Sequence, residues 1–85
     1  MDLTGVKKIK FNTHNPEEVE ILLQNNDDIG YNGPMHDIDK YGNNAFIIVG
    51  HRDDILDFII ELSGHNLTMF QAEDLPLPEV KFVNV

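Results

Sequence analysis

Hydrophobic and polar residues alternate near the start of the chain. In the segment 6–11, Ile9 and Phe11 fall on one side of a two-residue period, and Lys8 and Lys10 fall on the other. This alternation is typical of a strand that has one buried side and one side in water. The pattern therefore predicts a first strand over residues 6–11.

The alternation gives way to a helix signal at Asn15. Asn15 is a favourable N-cap, and Pro16 has no N–H group to leave unpaired. Glu18, three residues after Asn15, completes a capping box. Acids in the first turn also suit the positive end of the helix dipole. Apolar residues then recur at helical spacing, at Val19, Leu22 and Leu23. Polar residues from Asn25 onwards end this pattern, which predicts a helix over residues 16–26.

The segment 29–42 has the features of a strand at the edge of a sheet. Pro34 cannot donate a hydrogen bond to a neighbouring strand, and the charged residues after it discourage edge-to-edge pairing. A glycine and two asparagines at 42–44 form a turn signal. The continuous apolar run 45–49 then predicts a central strand, so that the two strands form a hairpin.

A second helix is predicted to begin at Asp53 and Asp54. Ser63 and Gly64 supply its C-terminal stop. Between these ends the apolar residues form a wide helical face: Ile55, Leu56, Phe58, Ile59, Ile60 and Leu62.

The last part of the chain predicts strands over 67–72 and 80–85, joined by the acidic, proline-containing connector 73–79. The element order is β-α-β-β-α-β, with 80–85 as an extra C-terminal strand. This order matches the split β-α-β arrangement of the ferredoxin-like class. We therefore expect one α+β domain over residues 1–85, with both helices on one face of an antiparallel sheet, because 85 residues are too few for two cores.

Charge and composition narrow the classes of function. The chain carries 15 acidic and 6 basic residues, a net charge of −9, which disfavours direct binding to nucleic acid or to an anionic membrane. It has no cysteine, no apolar run near the roughly 20 residues of a membrane span, and no signal-peptide pattern, which predicts a cytoplasmic protein. Asn and Ile are each abundant, a bias that indicates a bacterial or phage source.

No catalytic, metal or cofactor site is predicted, and we expect a protein that is not an enzyme. The segment 37–42 begins like a calcium-binding loop, but Tyr41 and Ile48 stand where two further ligands belong. The four histidines lack the spacing of a metal site, and no Ser or Thr has the surroundings of a nucleophile. A weak metal site stays open as an alternative at three neighbouring residues: His36, Asp37 and Asp39.

A sheet surface of the RNA-recognition type is also disfavoured. Phe46 on the third strand, with Lys8 and Lys10 on the first, would supply its aromatic and basic groups. However, the glycine-aromatic signature of that module is missing, and the net charge of −9 opposes the approach of phosphates.

The acids lie in two blocks, 13–39 and 53–79, neither of which contains a basic residue. On helices lying side by side, seven of these acids would form one outward surface: Glu17, Glu18, Glu20, Asp53, Asp54, Asp57 and Glu61. We interpret this surface as the binding site for a basic protein, in a non-enzymatic module. By analogy with small acidic inhibitors of the phage and plasmid type, it would mimic nucleic-acid charge and block a nucleic-acid-handling partner. A merely solubilising face is the alternative.

A second hypothesis belongs to a different class. The strand 45–49 is apolar at consecutive positions, although one face of the predicted sheet is not covered by helices. An exposed apolar patch is usually an interface. The chain would then be a small ligand-sensing or regulatory ferredoxin-like domain that forms a homodimer through its sheet.

Overall fold

A computed structural model describes residues 5–35, 42–65, 69–75 and 77 of the chain, with the backbone alone for 69–73. Within these ranges the chain forms four strands and two helices. They are β1 (Val6–Thr13), α1 (Pro16–Gln24), β2 (Gly30–Met35), β3 (Asn44–His51), α2 (Arg52–Gly64) and β4 (Met69–Asp74).

The four described strands form one antiparallel sheet in the order β2-β3-β1-β4. β1 and β3 pair along their whole length, from Val6 opposite His51 to Thr13 opposite Asn44. β2 lies at an edge of the sheet and β3 lies inside it, as the sequence predicted. The α+β class with an antiparallel sheet is therefore confirmed.

β1 and β3 are longer than the sequence pattern indicated, and β4 ends later than predicted, because pairing between strands continues past the apolar residues. β1 continues beyond the predicted end at residue 11 to Thr13, since each added residue faces a partner on β3. β4 ends at Asp74, two residues later than predicted, because Asp74 pairs with Ile9 and the Leu75 N–H donates to the Lys8 carbonyl oxygen at 2.9 Å. The strand predicted over 80–85 lies outside the described residues.

The helix boundaries agree closely with the predicted ones. At the start of α1, Asn15 Nδ2 donates to Glu18 Oε2 at 3.0 Å, and the Glu18 N–H donates to Asn15 Oδ1 at 3.4 Å. α1 ends at Gln24, two residues before the predicted end. α2 begins at Arg52, one residue before Asp53, and its N-cap makes no side-chain hydrogen bond.

β2 has an irregular register beside its proline. The register against β3 shifts between Asn32 and Met35, a stretch that contains Pro34 and Gly33. Gly33 has a φ of +141°, and a Cβ atom at this position would lie 2.8 Å from Phe46 Cδ1. This part of the edge strand therefore requires glycine, both for its backbone angle and for its close approach to the core.

One hydrophobic core lies between the sheet and both helices. The Phe11 and Phe46 rings stack across β1 and β3 with their centroids 5.8 Å apart. Side chains from both helices, from three strands and from the loop before β2 join them: Ile9, Val19, Leu23, Ile29, Tyr31, Ile48, Ile55, Phe58 and Leu62. Because α1 and α2 pack against the same face of the strands, the predicted two-layer arrangement is observed in the described part of the chain.

The sheet face opposite the helices is less open than the sequence suggested. Ile47 and Ala45, which point away from the helical core, are 9% and 0% exposed. Lys8 lies on the same face and is 2% exposed, although the alternation predicted a solvated side chain. The expected apolar patch on β3 is therefore not exposed at these positions, and dimerisation through the sheet stays a prediction.

Both described helices are too short to cross a bilayer, since even α2 has 13 residues where a span needs about 20.

Candidate protein-binding face on the two helices

The predicted acidic residues of α1 differ in their solvent exposure and in their hydrogen bonding. Glu17 is exposed, whereas Glu18 is half-buried and is engaged in the cap with Asn15. Glu20 is half-buried on the flank of the helix. Val19 and Leu23 face the core, so the exposed side of α1 presents Glu17 as its main carboxylate.

The predicted acidic residues of α2 are more accessible. Asp53, Asp57 and Glu61 recur every four residues and are all exposed, so they form a row along the helix. Asp54 is half-buried and, with Asp53, lies in the first turn, where a negative charge interacts favourably with the helix dipole. α2 therefore supplies the larger part of the predicted surface.

Six of the seven predicted carboxylates are unpaired within the described part of the chain. Among the described residues, no hydrogen bond or ion pair involves the carboxylates of Glu17, Glu20, Asp53, Asp54, Asp57 or Glu61. By contrast, Asp74 on β4 lies 3.7 Å from the Lys7 ammonium. Among the described residues, the outer sides of the helices therefore carry unpaired carboxylates.

The strand register places the two helix starts at opposite ends of the sheet. α1 begins shortly after Thr13, whereas α2 begins directly after His51, and these residues lie at opposite ends of the β1–β3 ladder. An eight-residue strand at about 3.3 Å per step separates them by roughly 23 Å. The first-turn acids of the two helices are therefore far apart, and the negative charge extends along the helical layer.

Two acids that the sequence interpretation treated only as a helix terminator belong to the same region. A Cβ atom on Gly50 would lie 3.1 Å from the Asp28 carbonyl oxygen, so the loop after α1 lies beside the end of β3. Asp27 and Asp28 are exposed there, at the end of the sheet where α2 starts. The predicted topology, in which the loop after α1 leads into the strand beside β3, could have indicated that these two acids lie near the start of α2. The local spacing of the residues could not.

Three large apolar residues are exposed among these acids. Ile21 on α1 is 56% exposed, and Leu56 and Ile60 on α2 are 46% and 68% exposed. Leu56 and Ile60 are one helical turn apart and form a small apolar strip beside Asp57 and Glu61. Interfaces commonly combine apolar contacts with a charged rim, so this mixture suits a protein partner.

A concave feature adjoins the loop after α1. A pocket of about 320 Å³ opens there, with Tyr31 and Ile29 as buried apolar walls and Asp27 as an exposed acid. Its remaining lining residues are Leu23, Gln24 and Asn26. A long basic side chain fits this chemistry, because its apolar stem can contact the walls while its charge meets the carboxylate.

The described residues contain no cluster of three or more potential metal ligands. His14, His51 and His65 are exposed at the ends of β1, β3 and α2. The alternative site at His36, Asp37 and Asp39 lies outside the described residues.

Phe46, the aromatic residue considered for nucleic-acid binding, lies on the helical face of the sheet, opposite Lys8 and Lys10. Phe46 is fully buried and packs against Phe11 and Tyr31, with ring centroids 5.8 and 6.4 Å away. It contacts the helical core and offers no surface on which a base could stack.

In comparisons with family models, curated proteins and solved structures, no match to this chain was found.

Proposed function

We propose that the domain is a ferredoxin-like split β-α-β unit that acts as a non-enzymatic binding module for a basic protein. The fold assignment is supported by the element order and by the strand order, in which β3 lies between β1 and β2, and β1 lies between β3 and β4. The function is supported by one observation above the others. In the described part of the chain, the exposed carboxylates of Asp53, Asp57 and Glu61 have no hydrogen-bond or ion-pair partner and run along α2 beside the exposed apolar strip.

The charge layout favours an inhibitor that competes with nucleic acid. Over roughly 23 Å, duplex DNA carries about 14 phosphate charges, whereas the helical layer offers the seven predicted carboxylates and the nearby Asp27 and Asp28. The lower charge density means that electrostatic attraction alone would bind more weakly than DNA does. Contacts from Leu56 and Ile60 would supply the additional affinity and the preference for one partner.

Charge reversal on the helices tests this function. The triple variant Glu20→Lys, Asp57→Lys and Glu61→Lys leaves both first helical turns unchanged, so we expect it to fold. A matched control reverses three acids that belong to neither helix: Asp2, Asp37 and Glu79. Both variants have the same net charge of −3, which follows from −9 with six units added.

The partner is obtained by capture on the full chain from a bacterial lysate at low salt, and its affinity for each variant is then measured with purified protein. We expect the helical variant to bind at least tenfold more weakly than the control, because only it removes the charges at the interface. Duplex DNA should compete with the wild-type chain for the partner. Equal weakening by both variants would mean that the acids serve solubility alone and would overturn the proposal.

A second candidate function is the small ligand-sensing or regulatory domain that dimerises through its sheet. The observation that favours it is a small pocket beside strands β1 and β4, which Val6, Lys8 and Leu75 help to line. Light scattering at high protein concentration tests the dimer. If the protein is monomeric at every concentration, dimerisation through the sheet is refuted.

A further inference from the structure

The outward side of α2 consists of two parallel rows of different chemistry. Leu56 and Ile60, 46% and 68% exposed, form the apolar strip, and neither belongs to the core. Asp53 stands three residues before Leu56 and Asp57 three residues before Ile60, so each apolar residue has an exposed acid as its helical neighbour. Glu61 continues the acidic row by one further turn. The side of α2 that faces solvent is therefore amphipathic.

Packing within the domain does not account for the apolar strip. α2 is anchored to the sheet by Ile55, Phe58 and Leu62, each only 1% exposed, which lie on the inner side of the helix. Two large aliphatic side chains one turn apart, with a regular charged flank, form the arrangement by which helices recognise one another. The outward side of α2 thus has the features of a second, separate packing surface.

The spacing along the two rows fits another helix. The 13 residues of α2 span about 20 Å, and the two residues of the strip are roughly 6 Å apart along the helix axis. An amphipathic helix presents its own apolar residues at this interval, with charged residues on their flank. A strand alternates its side chains between opposite faces, so an apolar row and a charged row would point in opposite directions. A helical partner element is therefore favoured over an extended one.

Charge determines which kind of helix fits. In the described part of the chain the carboxylates of Asp53, Asp57 and Glu61 are unpaired, so a row of lysine or arginine residues complements them. A second copy of α2 would bring six carboxylates into one interface, and like charges across an interface oppose binding. Nucleic acid is disfavoured for the same reason, because its phosphates are negative.

We infer that α2 docks a basic amphipathic helix of the partner protein. The apolar residues of that helix contact Leu56 and Ile60, and its lysine or arginine residues lie beside the acidic row. This inference rests on the proposed function, since it specifies which element of a basic partner is bound. α1 offers no equivalent surface: Ile21 is its one exposed large apolar residue, and the residues one turn away, Glu17 and Asn25, are polar.

Designed peptides test the docking on the full chain at low salt. The first peptide has leucines at helical spacing, lysines along one flank of the leucines and alanines elsewhere. Its length is about 18 residues, because isolated helices shorter than roughly 12–15 residues are marginal. In the second peptide two central alanines are replaced by prolines, which keep every charge and every leucine but break the helix. We expect the first peptide to bind, with NMR amide shifts centred on α2, and the second to bind at least tenfold more weakly.

A pair of variants separates the apolar strip from general attraction to acids. Leu56→Ala combined with Ile60→Ala keeps every carboxylate, and it should weaken binding of the first peptide by about tenfold because it removes the apolar contacts. Ile21→Ala is the matched control, since Ile21 is 56% exposed and lies on α1, and binding should stay within about twofold of the wild type. Alanine is the best helix former, so both variants should retain their helices.

The inference is overturned if the first peptide does not bind, if the proline peptide binds equally well, or if the double variant binds as tightly as Ile21→Ala. Equal binding of the two peptides would leave the proposed function standing, because the acidic face would still bind a basic chain without requiring a helix. Failure of the proposed function has a different signature, namely equal weakening of partner binding by the charge-reversal variant and its control.

Discussion

Replacing Lys8 with methionine should stabilise the protein. In the described structure the ammonium is buried and has no hydrogen-bond partner, whereas methionine fills nearly the same volume with apolar atoms. Replacing buried charges by well-packed apolar groups has stabilised proteins by about 1–4 kcal/mol. We expect a gain of about 2 kcal/mol in the free energy of unfolding. For a domain of 60–100 residues this corresponds to an increase in Tm of roughly 8–16 °C.

Urea denaturation followed by circular dichroism measures this effect. The midpoint should rise while the slope stays constant, because the surface exposed on unfolding is unchanged. Lys10→Met is the control, since Lys10 is half-buried and has an interaction partner, and a small loss of stability is expected there. A loss of more than about 1 kcal/mol for Lys8→Met would mean that the ammonium is paired, and it would refute the argument from burial.

The remaining predictions concern the fold and are all measured by urea denaturation. Asn15→Ala should lower the free energy of unfolding by about 1 kcal/mol, because it removes the cap of α1, and no loss would contradict the capping role. Gly33→Ala should cost more than Gly42→Ala: both positions have a positive φ, worth about 1–3 kcal/mol, but only a Cβ at Gly33 would meet Phe46. Equal losses would contradict the close approach. Phe46→Ala should cost about 3–5 kcal/mol, whereas Ile60→Ala, at an exposed position, should change stability by less than about 0.5 kcal/mol.

Local sequence signals were sufficient for the helices and for the class of fold. The cap at Asn15, the apolar stripe of α1 and the wide apolar face of α2 each depend on neighbours within a few residues, and these elements lie close to their predicted bounds. Pro34 similarly indicated an edge strand, because the missing N–H is a property of the residue itself.

The features that the sequence did not predict depend on pairing between distant segments. β1 extends to Thr13 and β4 to Asp74 because each has a partner strand, which no local period reveals. Lys8 follows the alternation expected of a strand, yet it is buried, since a two-residue period assigns a face and does not say whether that face is covered. The separation of the two helix starts likewise follows from the antiparallel register of β1 and β3.

The salt dependence of the complex with the basic partner tests the central claim most directly. The dissociation constant of the wild-type chain is measured between 50 and 500 mM salt by titration calorimetry, beside the helical triple variant. Because the binding face carries exposed carboxylates, we predict that log Kd rises linearly with log salt concentration, and that the variant has a clearly shallower slope. A complex whose affinity is independent of salt, or equal slopes for the two proteins, would contradict the claim that the acidic helical face binds the partner.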